Sequence, residues 1–402
     1  MTDRLYYPDS YARRFTGRVL ETAPSGKPPI AVLDQSLFYP TSGGQPHDTG
    51  RLGTARVVDV VVREADDAVL HVLDTQVDPG PIEGVIDWTR RFDHMQQHTG
   101  QHILSQALLH AAGAETIGFH LGPETVSVDL GVANLPELRV AEAESLANQV
   151  VAAHVPVRAW FPTGSELAAL ALRKQPEVTG PIRVVAIGEF DRSACGGTHV
   201  ATSGEVGLIA VQRAERLKRG IRVEFLCGER ARADYARKHA IVRELSAALT
   251  CSPGELGESV NRLRDAFQDA RRQLSVYRER ELDEEAARRL AGSAQQGDLR
   301  VVRAAWDERP IEEVKGLALR LTSHPGVVVL LGIAGARAQV LFGRSDQLAV
   351  DLETVFRRTL EALGGGRGGG TRLLQGAAGP ADLATVERVL QEAEARLGAA
   401  GS

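Results

Sequence analysis

Short β-branched runs dominate residues 17 to 92. "GRVLE", "IAVLD", "ARVVDVVV" and "AVLHVLD" are set apart by Gly, Pro and Asp, the pattern of strands joined by turns. Between the second and third lies "FYPTSGGQPHDTG", residues 38–50, too polar and irregular for a strand and of the kind that often carries function. The periodicity changes near Asp93. "QHTGQHILSQALLHAAG" sets Ile103, Leu104, Ala107 and Leu108 at helical spacing, with Gly113 as its stop. "TVSVDL" reads as a strand, "AEAESLANQVVAAH" as an amphipathic helix, "PVRAWF" as a strand and "GSELAALALRK" as a helix. "IRVVAIG", "GLIAVQRAE" and "IRVEFLCG" follow as strands. From Glu229 the chain turns charged and helical. After the "CSPGE" turn a single helix runs from about Leu256 to Leu290. Its thin apolar stripe calls for a partner, and an antiparallel hairpin is the simplest solution. Strands "LRVVRAAW", "GVVVLLGI" and "ARAQVLFG", with one helix between the first two and two more after the third, make a final α/β unit.

Length and composition add bounds. A chain of 402 residues has room for two or three domains and a large core. A net charge of -5 carries no global sign of nucleic-acid binding. Three cysteines, Cys195, Cys227 and Cys251, are too few and too odd for a disulfide scaffold. The start "MTDRLYYPDS" has no signal-peptide core, and stretches such as "GVVVLLGIAG" fall well short of a membrane span. A cytoplasmic protein with no membrane partner is expected.

The chemistry concentrates in two places. His94, His98 and His102 share one face of the helix after Phe92, with His110 further on. Two imidazoles one turn apart reach one cation, as in HExxH helices, although Gln101 stands where no such glutamate is found. In "SACGGTHVATSG", residues 193–204, Cys195 and His199 stand four apart. His98, His102, Cys195 and His199 together form a good tetrahedral zinc set. The residues alone equally allow solvated helix histidines with Cys195 as a small buried hydrophobe. A thiol hydrolase of Cys195, His199 and Asp191 is a third reading, and it leaves His98 and His102 without a task. Gly196 and Gly197 permit backbone angles that other residues resist, making room for a cation or a substrate terminus. Their N–H groups suit a developing oxyanion.

These residues also carry a family resemblance. "HTGQH" followed downstream by "CGGTHV" resembles the editing domain of alanyl-tRNA synthetases. "VLDQSLFYPTSGGQPHDTG" resembles the loop preceding that domain in the synthetases and in their freestanding relatives, the AlaX proteins. "GGGRGGG", residues 364–370, resembles a motif of the C-terminal DHHA1-type domain. The motifs follow the family's order over nearly the whole chain, and the chain starts almost directly at the β domain. It resembles the long freestanding type. The resemblance implies a multidomain α+β fold: an N-terminal β-barrel-like domain (1–92), an α+β zinc-binding editing domain (93–228), a long antiparallel helical hairpin (229–295) and a C-terminal α/β DHHA1-like domain (296–402).

It further implies hydrolysis in trans of tRNA(Ala) mischarged with serine, in some members glycine, at one zinc per chain. His98, His102, Cys195 and His199 are its ligands. Their role, structural or catalytic, stays open, as does transient ligation by His94. Ser36 stands where many relatives have a threonine whose hydroxyl helps tell serine from alanine. A hydrogen-bond partner for that hydroxyl discriminates well, because the smaller substrate leaves it unpaired. Gln45 and Gln101 are expected polar contacts at the reacting ester. Gly43 and Gly44 of the GGQ element, Gly196, Gly197, Thr198 and Asp191 complete the expected substrate-binding set. For RNA, the densest basic run near the editing domain is Arg213, Arg216, Lys218, Arg219 and Arg222, with Arg367 of the glycine-rich loop as a second contact. Dimerisation through the hairpin or the C-terminal domain is a further expectation. The alternative is a noncatalytic tRNA-binding or interaction protein that keeps the fold.

Overall fold

The computed structural model describes residues 2–23, 28–174, 180–296 and 299–399. The chain divides into two compact units, residues 1–248 and 249–402.

In the first unit six antiparallel strands close a barrel. Their order is Arg14–Thr22, Ile30–Leu33, Ala68–Leu73, Ala55–Arg63, Gly50–Leu52 and Gly80–Ile86, the last pairing back to the first. The strand expectations hold for the four β-branched runs. The two strands that complete the ring were not expected from the pattern. Gly50–Leu52 is three residues long and Gly80–Ile86 contains Pro81 and two glycines. Closure removes the exposed sheet edges, and alternate residues such as Phe15, Val19, Leu33, Val57, Val69 and Ile86 fill the interior.

His71 belongs to this core and has no exposed surface. Its Nδ1 faces the carbonyl of Ala31 at 3.1 Å and its Nε2 lies 2.7 Å from the hydroxyl of Ser36. Burial pushes its pKa down to about 4, with the Ala31 bond opposing. The unfolded chain therefore binds the His71 proton first as pH falls. Stability is unaffected by this group above about pH 6.5 and should decline by about 3 kcal/mol as the pH drops from there to about 4. Urea titrations across that window check it: His71→Gln, although less stable at pH 8, should show a flatter acid slope.

After the barrel comes α1 (Trp88–Ala112). Its N-cap Asp87 accepts from the Arg90 amide, and Gly113 closes it with φ 61°. The stop is as expected, whereas the start lies well before Asp93. α2 is Glu137–Ala152. These two helices pack on a four-stranded antiparallel sheet ordered Ile209–Arg216, Ile221–Cys227, Val126–Leu130, Thr116–Leu121. A three-stranded antiparallel sheet joins Val157–Trp160, Val184–Ile187 and Asp191–Ala194. The helix expected over 164–174 is only α3 (Gly164–Ala169), and none of its residues is buried. With no apolar face to dock, so short a helix gains little beyond its Thr163–Glu166 capping box.

The unit closes with α4 (Gly228–Ala248). The second helix of the expected hairpin, α5 (Leu256–Gly292), belongs to the second unit. There a six-stranded sheet runs Gln295–Gln296, Leu299–Trp306, Val327–Ile333, Gln339–Arg344, Leu373–Ala378, Gly366–Gly369. One face is covered by α6 (Ile311–Thr322) and the end of α5. The other face is covered by α7 (Leu352–Ala362) and α8 (Leu383–Ala399). The glycine-rich segment expected to be a loop supplies the edge strand Gly366–Gly369. No helix among the described residues is long and apolar enough to cross a membrane.

Candidate metal centre

Helix α1 is buried on nearly every side between Arg91 and Leu108, yet it is rich in polar residues. Each buried polar group then needs a partner. Gln97 brackets Cys227, accepting from its N–H at 2.8 Å and donating to its carbonyl at 2.9 Å. Gln96 donates to the carbonyl of Glu205 at 2.8 Å. Packing from all sides locks the helix that presents His98 and His102.

His98, His102, Cys195 and His199 converge, one ligand atom from each lying within 4.8 Å of the others. Cys195 Sγ is 3.4 Å from His98 Nε2 and 3.3 Å from His199 Nε2. A tetrahedral ion with bonds of about 2.0–2.3 Å separates its ligands by roughly 3.3–3.6 Å, so the cluster has the span and the donor chemistry of a zinc site. Every histidine is anchored through Nδ1. His98 donates to Gln45 Oε1 at 2.8 Å, His102 meets Asp191 Oδ2 at 3.1 Å, and His199 lies 3.0 Å from Thr99 Oγ1. Gln45 Oε1 also accepts the backbone N–H of Thr198 at 3.1 Å. That donor identifies the oxygen end of the amide, so His98 Nδ1 carries a proton and its Nε2 keeps a lone pair for a cation.

The electrostatics suit a cation. Burial on its own would push the Cys195 thiol up, but the imidazoles of His98 and His199, with hydrogen bonds from His102 and His199, hold it well below the usual range. Burial opposes protonation of His102, but Asp191 and Cys195 raise it to about 9. A thiolate beside an imidazolium is the protonated form of a metal site, in which a dication replaces the proton. Burial lowers His94 to about 3, and its buried Nδ1 has no hydrogen-bond partner among the described residues. It stands outside the ligand cluster.

The remaining expected site residues divide. Gln45 and Thr198 are fully buried behind His98, and Gln45 Nε2 also donates to Thr198 Oγ1 at 2.8 Å. They stand behind a candidate ligand and are not among the residues lining the cavity. Asp191 does the same behind His102, held by Ser193 Oγ at 3.0 Å and Arg173 Nε at 3.2 Å. Ser36 must be withdrawn as the serine sensor. It is fully buried and not among the residues lining the cavity beside the ligands, and its hydroxyl is held by His71 and by the Phe38 N–H at 3.0 Å. Gly196 and Gly197 do not use the backbone freedom expected of them, since neither has a positive φ. A Cβ on Gly196 would meet only the Tyr7 hydroxyl, at an ordinary contact distance of 3.6 Å. A Cβ on Gly197 would stand 2.2 Å from His98 Cε1 and 2.9 Å from Gln45 Oε1. Gly197→Ala should therefore displace the His98 ring and weaken zinc binding about 10–100-fold with the far-UV circular dichroism unchanged, as competition with a chelating dye would read.

A cavity of about 440 Å³ opens beside the ligands, the size of a small-molecule site. His98, His102 and Cys195 line it together with Gly43, Gln101, Ser105, Thr116, Phe119, Arg173 and Ser193. Gly43 and Gln101 thus lie at the cavity wall. Gly44, at φ 84°, lets the GGQ turn press on Phe119, which a Cβ would meet at 2.8 Å. Ser105, Thr116, Phe119 and Arg173 were not expected. Ser105 carried a signal, lying seven residues after His98 on the same helix face. The others reach the cavity through tertiary folding.

The basic run is largely neutralised within its own sheet. Arg213 forks onto Glu224 at 2.7 and 2.9 Å, Arg222 forks onto Asp129 at 2.7 and 2.8 Å, and Arg216 donates to the Ala133 carbonyl. These three are therefore less available to phosphate than the sequence suggests. Lys218 and Arg219, at the turn of that hairpin, have no such partner among the described residues. Exposed Arg367 likewise has none.

The profile of the threonyl and alanyl tRNA synthetase second additional domain matches residues 182–224. An alanine–tRNA ligase of Pyrobaculum neutrophilum is 34% identical over 98% of this chain and 44% of its own length. One from Pyrococcus abyssi is 29% identical over 93% of this chain and 42% of its own length. The chain spans less than half the length of these ligases. The alanyl-tRNA editing protein AlaX-L of Pyrococcus horikoshii is 28% identical over 92% of this chain and 93% of its own length. The solved C-Ala domain of Aquifex aeolicus alanyl-tRNA synthetase covers 25% of this chain and 96% of its own at 25% identity, and its TM-score of 0.23 is too low to equate the folds.

Proposed function

This chain is a homologue of the alanyl-tRNA synthetases and of AlaX-L, with their second additional domain, and on that premise we propose that it hydrolyses the ester of mischarged tRNA(Ala). The seryl ester is the principal substrate and the glycyl ester a second one, at one zinc per chain. The carrying observation is the convergence of His98, His102, Cys195 and His199, three of which line the cavity.

Zinc held there by four ligands would polarise the ester carbonyl only by taking a fifth ligand or loosening one of the four. The chain's own groups do the rest. Gln45, Asp191 and Thr99 hold the three imidazoles in one tautomer and orientation. Arg183 ties the ligand loop by donating to the carbonyls of Cys195 at 3.1 Å and Gly197 at 2.8 Å. Phe119 stacks on His98 with ring centres 5.2 Å apart and lines the cavity, an aromatic platform of the kind on which a terminal base stacks. Lys218, Arg219 and Arg367 supply phosphate contacts. The complete ligand set favours catalysis over a noncatalytic tRNA-binding role. A cytoplasmic place of work and a dimer through the long helices or the C-terminal unit belong to the same reading.

The deciding measurement is release of amino acid from seryl-, glycyl- and alanyl-tRNA(Ala), with zinc content determined on the same sample. Seryl ester should be cleaved fastest. Release no faster than in buffer would refute the deacylase, and a folded chain without zinc would refute the ligand assignment.

A further inference from the structure

Withdrawing Ser36 leaves the selectivity of the site without a residue to carry it. Ser105 lies three residues past His102 on α1 and is 1% exposed. Its Oγ accepts from Gln101 Nε2 at 2.8 Å and from Thr116 Oγ1 at 2.9 Å. All three side chains line the cavity beside the metal ligands.

A serine hydroxyl has two lone pairs and one proton. At Ser105 both lone pairs are taken. A helical serine ordinarily returns its proton to the carbonyl four residues back, but Ser105 makes no such bond, and its O–H meets no acceptor among the described residues. Gln101 Oε1 in turn meets no donor among them. The Gln101 amide has no second partner to fix its ends, and in either orientation the Gln101–Ser105 pair leaves polar capacity unspent at the cavity wall: the Ser105 O–H and Gln101 Oε1 as placed, a Gln101 N–H with the amide turned. A primary alcohol satisfies it as acceptor, donor or both. A methyl group or a hydrogen leaves it unpaired, which costs binding.

We propose that Gln101, Ser105 and Thr116 form the subsite that recognises the hydroxyl of the serine side chain and so sets the preference for seryl over alanyl esters. The assignment rests on the deacylase reading. Ser105 and Gln101 touch the substrate hydroxyl. Thr116 is a positioning residue, whose donated proton keeps Ser105 turned toward the cavity.

The test uses the full chain with Ser105→Ala and Thr116→Val. Two ratios are measured: kcat/KM for seryl- against alanyl-tRNA(Ala), and Kd for the non-hydrolysable seryl and alanyl 3′-amido adenosines. Zinc content and Tm are followed alongside. Ser105→Ala should lower both ratios about tenfold or more with zinc retained, and Thr116→Val should lower them in the same direction by less. Unchanged ratios in a folded, zinc-loaded variant overturn the subsite. A wild-type chain that hydrolyses neither ester overturns the deacylase reading instead, while a seryl preference in analogue binding that Ser105→Ala abolishes still supports the subsite. If Ser105→Ala does not fold, the Thr116→Val ratios decide.

Discussion

Cys195→Ser should leave the chain without zinc and slow the hydrolysis of seryl-tRNA(Ala) about a thousandfold, toward the rate in buffer. The thiolate is the one anionic donor of the set, held deprotonated by the histidines around it. Serine offers a hydroxyl that stays protonated at neutral pH and leaves three neutral imidazoles to hold a dication. The fold should persist, because Cys195 lies at the cavity wall and outside the apolar core. Metal analysis and the deacylation assay read both effects, with Cys251→Ser as the control that keeps both. Retained zinc with lost activity would mean that the sulfur acts in the reaction itself. Retained zinc and activity would refute its place as a ligand.

Arg91→Leu should cost about 3–5 kcal/mol of unfolding free energy in the first unit. Arg91 and Asp48 have no exposed surface, and Arg91 Nε lies 3.0 Å from each carboxylate oxygen. The guanidinium also donates to the carbonyls of Ser10 at 3.0 Å and Leu37 at 2.5 Å. Its removal strands a buried carboxylate with only the Tyr39 N–H, at 2.6 Å, among its present partners. Urea unfolding measures the loss, and a change within about 0.5 kcal/mol would show the pair to be dispensable. Asp48 closes the loop that carries Gln45, so the variant should also bind zinc more weakly at temperatures where it remains folded. One ion pair therefore couples the barrel to the metal centre.

The four candidate ligands were legible because their geometry is local. An i, i+4 pair on a helix and a Cys–His pair four apart in a loop each define half a site without reference to the rest of the chain. The polar run of α1, with Gln96, Gln97, Thr99 and Gln101, passed unread, although a helix so polar on its buried faces needs partners for each of them. The ends of α1 followed local rules unevenly: Gly113 marked the stop, whereas the capped start at Asp87 lay outside the apolar repeat that drew attention to the helix.

Other features depended on which strand lies beside which. Arg213 and Arg222 read as a free basic run until antiparallel register set Glu224 opposite the first and Asp129 opposite the second. Ser36 read as a substrate contact until closure of the barrel put His71 against its hydroxyl. The sequence by itself determined the identity and spacing of the candidate metal ligands, because helix pitch and loop length act within a few residues. Only the tertiary structure decided which hydroxyls, carboxylates and arginines stay available for chemistry, because a polar group is spent or spared by the neighbour that long-range packing brings to it.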